Sequence, residues 1–174
     1  MTEDTLDMAG VTESQGAQFH KMVSEPATMR LDSRFVQAMA SCHSLIKLRG
    51  ELTGNPLDVK IFEAIDWDLT EQFNMGVNPA YGVPTPTLVS PPKTQSSSAR
   101  NGSSAFPQHS AGGHGGVASS SNLEIALLKT YPFDSAVQRM TVVTKKKGAA
   151  HFDMYVKGAP EKVAGLCKPE TSEC

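Results

Sequence analysis

The sequence predicts an α+β fold: an antiparallel sheet flanked by helices, broken by a long disordered insertion. Three observations carry that expectation. Between residues 31 and 66 apolar side chains recur at spacings of three and four, the helical period. After residue 122, strand-like runs follow one another without a helix between them, which is the order antiparallel pairing needs. Between these zones, residues 74–121 are dominated by proline, serine and glycine.

Residues 1–28 are weakly patterned, with Gly10 and Gly16 as breakers, Pro26 near the end and one short strand-like alternation, TLDMAGV. A first helix is expected to place Leu31, Phe35, Met39, Cys42 and Ile46 on one face and to stop at Gly50. A second opens at Thr53-Gly54-Asn55-Pro56: Asn55 can cap, Pro56 suits the first helical position and Asp58 puts a carboxylate in the first turn. Leu57, Ile61, Phe62 and Ile65 would form its apolar face, and WDLTEQF a return segment. Residues 74–121 hold Pro79, Pro84, Pro86, Pro91, Pro92 and Pro107, two serine runs and Gly112-Gly113-His114-Gly115-Gly116. Such a composition buries too little apolar surface to offset the entropy of ordering it, so the whole span reads as disordered. LEIALLKTYPF then reads as a strand, and QRMTVVTKKKG with HFDMYVK as a hairpin turning at Lys145-Lys146-Lys147-Gly148. PEKVAGLC reads as a short helix.

With 174 residues and 18.6 kDa, the chain suits one domain. A formal net charge of -2 gives no basic excess to attract nucleic acid or an anionic membrane surface. Cys42, Cys167 and Cys174 form neither a CxxC pair nor an even framework, which argues against disulfides and zinc and for a reducing compartment, the cytosol. The acidic start, MTEDTLDMAGV, lacks the apolar run of a signal peptide, and no stretch approaches the roughly 20 apolar residues of a membrane span.

The sharpest motif is Lys157-Gly158-Ala159-Pro160-Glu161. A strand ends in a lysine. A glycine lets the chain turn and a ligand approach, and a proline opens a helix whose first amides favour anions. From spacing alone this is a strand-to-helix corner with one cation at a cleft, or simply a corner with a solvated lysine.

K-G-A-P-E matches the motif of the P-type ATPase nucleotide-binding domain at every position. Two further segments fall in that family's order. Tyr131 to Val142, YPFDSAVQRMTV, resembles the segment whose phenylalanine stacks on adenine, which carries the role to Phe133. Gly54-Asn55-Pro56-Leu57-Asp58 is similar to the element whose last acid faces the adenine amino group, which carries that role to Asp58; Asn55 stands where an acid is usual. The resemblance puts Lys157 beside the adenine, with Gly158 next to it. Thr2-Glu3-Asp4 resembles the end of the phosphorylation motif, without the aspartate that would be phosphorylated. Residues 1–12 are therefore expected to be an edge of the phosphorylation domain, and residues 13–174 the nucleotide-binding domain.

Within the family, GNPLDVKIFEAIDW, YPFDSAVQRMTVV and YVKGAPEKVAGLCKPET look most like the type V branch, the polyamine-transporting ATPases of late endosomes and lysosomes. The resemblance implies a cytosolic, ATP-binding piece of a multi-pass membrane transporter. Such a piece would hold no catalytic residue and no metal ligand of its own. Magnesium would be held outside it, and the phosphorylation, actuator and transmembrane domains would be its partners. A base stacked on an aromatic ring contributes roughly 1–3 kcal/mol. With a modest addition from lysine and carboxylate, the sum of about 4 kcal/mol corresponds to a dissociation constant on the order of millimolar.

Other readings stand beside these. Phe133 is also consistent with a core residue, and Asp58 with a helix-start acid. Arg139 would reach either phosphate or a surface acid. His43 reads as a packed or capping histidine, and the lysine run at 145–147 as a solvated turn. The glycines around His114 lack the strand and lysine of a phosphate loop. A reading from another class makes the serine-rich insertion a regulatory tether and the fold its carrier.

Overall fold

The computed structural model describes residues 8–15, 18–72, 76–92 and 123–169. Thr2-Glu3-Asp4 and residues 93–122 lie outside the described residues. Near the start, β1 (Ser14–Gln15) and β2 (Gln18–Phe19) pair in a small antiparallel ladder, and of the described part of TLDMAGV, residues 8–11, Val11 pairs as an isolated bridge to Val23.

The first helix, α1, runs over Arg34–Ser41, with the Ser33 hydroxyl accepting from the Phe35 N–H at 3.2 Å. It is shorter than expected and turned differently. Its buried residues are Val36, Gln37, Ala40 and Ser41, not the face through Phe35, Met39 and Ile46. Two polar residues can face inward because their hydrogen bonds are met. The Tyr155 hydroxyl donates to Gln37 Oε1 at 3.3 Å, Gln37 Nε2 donates to the Leu31 carbonyl at 3.3 Å, and Ser41 Oγ donates to the Gln37 carbonyl at 2.6 Å. Ile46, expected on that helix, lies on β3 (Ile46–Leu48), which pairs with β4 (Glu51–Thr53). Gly50 is not a helix stop. Arg49 (φ 53°) and Gly50 (φ 91°) form the two-residue turn of this hairpin, where both central residues need positive φ.

The second helix, α2 (Pro56–Ala64), starts where expected, with Asn55 Oδ1 accepting from the Leu57 N–H at 2.9 Å. β5 (Asp68–Glu71) follows as the expected return segment. Residues 76–92 then correct the boundary of the insertion. β6 (Val77–Asn78) pairs with β7 (Val83–Pro84), and β8 (Thr87–Ser90) joins the main sheet between β5 and β9 (Ile125–Asp134). Tyr81, Leu88 and Val89 are buried there. Order is possible despite the prolines because polar groups close on one another. Asn78 Nδ2 donates to Thr85 Oγ1 at 3.0 Å, and Thr85 Oγ1 donates to Gln72 Oε1 at 3.0 Å.

β10 (Arg139–Lys146), β11 (Asp153–Gly158) and α3 (Pro160–Ala164) complete the described chain. The main sheet has the order β11-β10-β9-β8-β5, every neighbouring pair antiparallel. The expected combination of antiparallel sheet and helices is therefore present. One core joins Val36 and Ala40 of α1, Phe62 of α2, and Leu69, Val89, Ile125 and Val142 of the sheet. The lysine run is not a free basic tip. Lys145 Nζ donates to the Tyr81 carbonyl at 2.8 Å, while Lys146 pairs with Asp153 at 3.9 Å and Lys147 with Glu124 at 3.4 Å.

Candidate functional site

Three elements meet at one cleft of about 530 Å³: the start of α2, the end of β9 and the end of β11. Asp58, Phe133, Lys157 and Gly158, all singled out from the sequence, line it together. The volume lies in the ordinary range of small-ligand sites. Met140, buried, and Ile61 add apolar surface.

Phe133 is 61% exposed, so it is not a core residue. An aromatic ring held on a strand and left to water is available for stacking. Asp58 is only 7% exposed, and its Oδ1 accepts a hydrogen bond from Lys157 Nζ across the cleft. The pairing explains how a carboxylate is tolerated in the first turn of a buried helix face, where a lone charge would be costly.

Gly158 has a reason the sequence did not suggest. Its φ lies outside the positive region, and it pairs with Arg139 of β10. A Cβ there would collide with the Gln138 carbonyl oxygen and crowd Arg139 Cα at 2.8 Å. The glycine is required by the neighbouring strand, not by a turn. The anion site expected at the following helix is weak as well. α3 has five residues, and the Ala159 N–H already donates to the Gln138 carbonyl at 2.9 Å. Arg139 does not line the cleft. It borders an adjoining hollow of about 750 Å³ that shares Phe133 and includes Asp134 and Ser135. Among the described residues it forms no ion pair.

Sequence reasoning missed Ser44, Leu57, Ile61 and Met140 as lining residues. Leu57 was read as part of the apolar face of α2, and only its exposure shows otherwise. No group of His, Cys, Asp and Glu among the described residues is arranged to hold a metal ion, and no helix among them is long and apolar enough to cross a membrane.

Behind the cleft, His43 is buried. Its Nδ1 accepts from the Leu45 N–H at 3.2 Å, its Nε2 lies 2.9 Å from the Ala40 carbonyl, and its ring meets Phe62 edge-on. This is the packed, capping histidine expected. Burial pushes its pKa down to about 4, the Ala40 carbonyl and Asp58 opposing that shift in part. An unfolded imidazole titrates near 6.5. Between those values the unfolded chain binds the extra proton, so stability rises with pH and is lost as pH falls from about 6.5 toward 4. Taking wild type from pH 7 to pH 5 is expected to cost about 2 kcal/mol through this group. Urea unfolding at both pH values checks this, and His43→Gln should show a smaller loss. Burial likewise pushes the Cys42 thiol up to about 11, which keeps it protonated and unreactive.

No protein-family model matches the chain. The curated proteins it is similar to include human ATPases. It is 40% identical over 175 residues to polyamine-transporting ATPase 13A3, covering 98% of this chain and 13% of that protein. It is 34% identical over 171 residues to polyamine-transporting ATPase 13A2, covering 98% and 13%. It is 35% identical over 175 residues to probable cation-transporting ATPase 13A4, covering 98% and 12%. The chain thus spans about an eighth of the length of these relatives.

Proposed function

The chain belongs to the 13A branch of the P-type ATPases, and from that premise we propose that it is a nucleotide-binding domain, which holds ATP and presents its γ-phosphate to an aspartate elsewhere in a longer parent chain. One arrangement supports this reading above all. A solvent-exposed phenylalanine, Phe133, shares a cleft with the Asp58–Lys157 pair, and the three come from elements far apart in sequence. A base stacks on Phe133, Asp58 and Lys157 border its polar edge, and Arg139 of the adjoining hollow takes the phosphate tail. Gly158 supports the strand end that carries Lys157.

The domain binds nucleotide without hydrolysing it, because the aspartate that is phosphorylated belongs to the parent's phosphorylation domain and not to this cleft. In the parent, the attacking group is the aspartate carboxylate and the product an aspartyl-phosphate. Magnesium is held mainly by the phosphorylation domain. Binding energy here acts by positioning, the large term in phosphoryl transfer. The parent is a multi-pass membrane transporter of late endosomes or lysosomes that moves polyamines or cations, with this domain in the cytosol beside the phosphorylation, actuator and transmembrane domains. The names of the relatives support that cargo class.

An NMR titration of the chain with ATP and with AMP tests the reading. Shifts are expected at Phe133 and Lys157. Phe133→Ala should weaken both nucleotides roughly 10- to 100-fold, the value of one base stack. Arg139→Gln should weaken ATP more than AMP. Shifts confined to the 145–147 turn, unchanged in Phe133→Ala, would reject the site.

A further inference from the structure

We infer that Leu57 is the second wall of the base site: it covers the face of the base that Phe133 leaves open, and the two side chains together favour a purine over a pyrimidine. This rests on the nucleotide reading above. α2 turns Asp58 and Phe62 inward, with Ile65 buried just past its end, yet Leu57 is 53% exposed and stands outside the core. A single exposed leucine is ordinary. This one lines the same cleft as Phe133, another exposed large apolar side chain, and the two are carried by different elements, α2 and β9.

Its mounting is rigid. Asn55 Oδ1 holds the Leu57 N–H at 2.9 Å, and Pro56 fixes the backbone just before it. A side chain on an immobilised backbone loses little entropy when a ligand arrives. A planar base lying on Phe133 would leave its other face in water unless a second apolar group met it. Leu57 supplies that group and is next to Asp58, so one helical turn offers apolar cover and a carboxylate acceptor side by side. A two-ring base lays more area against both walls than a one-ring base does.

Calorimetric titration of the chain with ATP, AMP and CTP tests the inference. Leu57→Ala should weaken ATP and AMP by the same factor, about fivefold, because the lost contact is to the base. It should also narrow the preference for ATP over CTP. Leu57→Met should keep wild-type affinity. Thermal unfolding should not change, since the side chain is exposed. Wild-type affinity for ATP and AMP in Leu57→Ala, with binding lost in Phe133→Ala, would overturn the inference and leave the nucleotide reading standing. Failure of the wild-type chain to bind ATP would overturn both.

Discussion

Gly158→Ala is expected to destabilise the fold by about 3 kcal/mol, the upper range for forcing atoms into a filled space, and to lower the melting temperature by roughly 10 °C. The collision is at Cβ itself, so the smallest side chain suffices. It meets the Gln138 carbonyl oxygen and Arg139 Cα, which are backbone and cannot swing away. Gln138 has little freedom to yield. It is held at φ 51°, its N–H donates to the Asp134 carbonyl at 2.7 Å and its carbonyl accepts from Ala159. Gly165→Ala is the control. A Cβ there meets its nearest atom at 3.7 Å, and the residue has right-handed helical geometry. That change should leave stability level or raise it by about 0.5 kcal/mol, by restricting the unfolded chain. Thermal denaturation followed by circular dichroism measures both. An unchanged melting temperature in Gly158→Ala with weakened ATP binding would mean that the glycine serves the ligand and not the sheet.

The contrast at Gly158 marks what a sequence can and cannot reveal. Local chemistry was legible. Asn55-Pro56 announced a helix start, LEIALLKTYPF a strand, QRMTVVTKKKG with HFDMYVK a hairpin, and K-G-A-P-E a strand-to-helix corner, and each formed where expected. The gathering of Asp58, Phe133 and Lys157 came from resemblance, since no spacing rule joins residues so far apart in the chain. Facts that depend on a cross-strand or tertiary neighbour were not legible. The carbonyl facing Gly158 belongs to Gln138, the last residue of the turn between β9 and β10. The face of α1 was misjudged because Gln37 and Ser41 look like surface residues until their partners are known: Tyr155 and the Leu31 carbonyl for Gln37, and the Gln37 carbonyl for Ser41. β8 was missed because Leu88 and Val89 sit among prolines, and composition averaged over 74–121 hid a four-residue strand paired on both sides in the sheet.

The Asp58–Lys157 pair leads to an unequal outcome when either partner is removed. Lys157→Met leaves a carboxylate that is 7% exposed with its ammonium partner gone. Stranding one member of a fully buried pair costs about 3–5 kcal/mol. The Lys157 side chain is 36% exposed, so water reaches its end of the pair, and the expected cost falls to about 2–3 kcal/mol. Asp58→Asn leaves a lysine that can turn to solvent, and about 1 kcal/mol is expected there. The double variant should recover part of the loss, because neither charge is then stranded. Urea unfolding of the four proteins measures the cycle, and equal costs for the two single variants would contradict the burial difference on which the asymmetry depends. This ammonium is committed to Asp58, so the apolar walls must provide most of the grip on a base, with the ion pair setting its orientation. Lys157→Met should therefore lose more stability than nucleotide affinity, while Phe133→Ala, at an exposed position, should do the reverse.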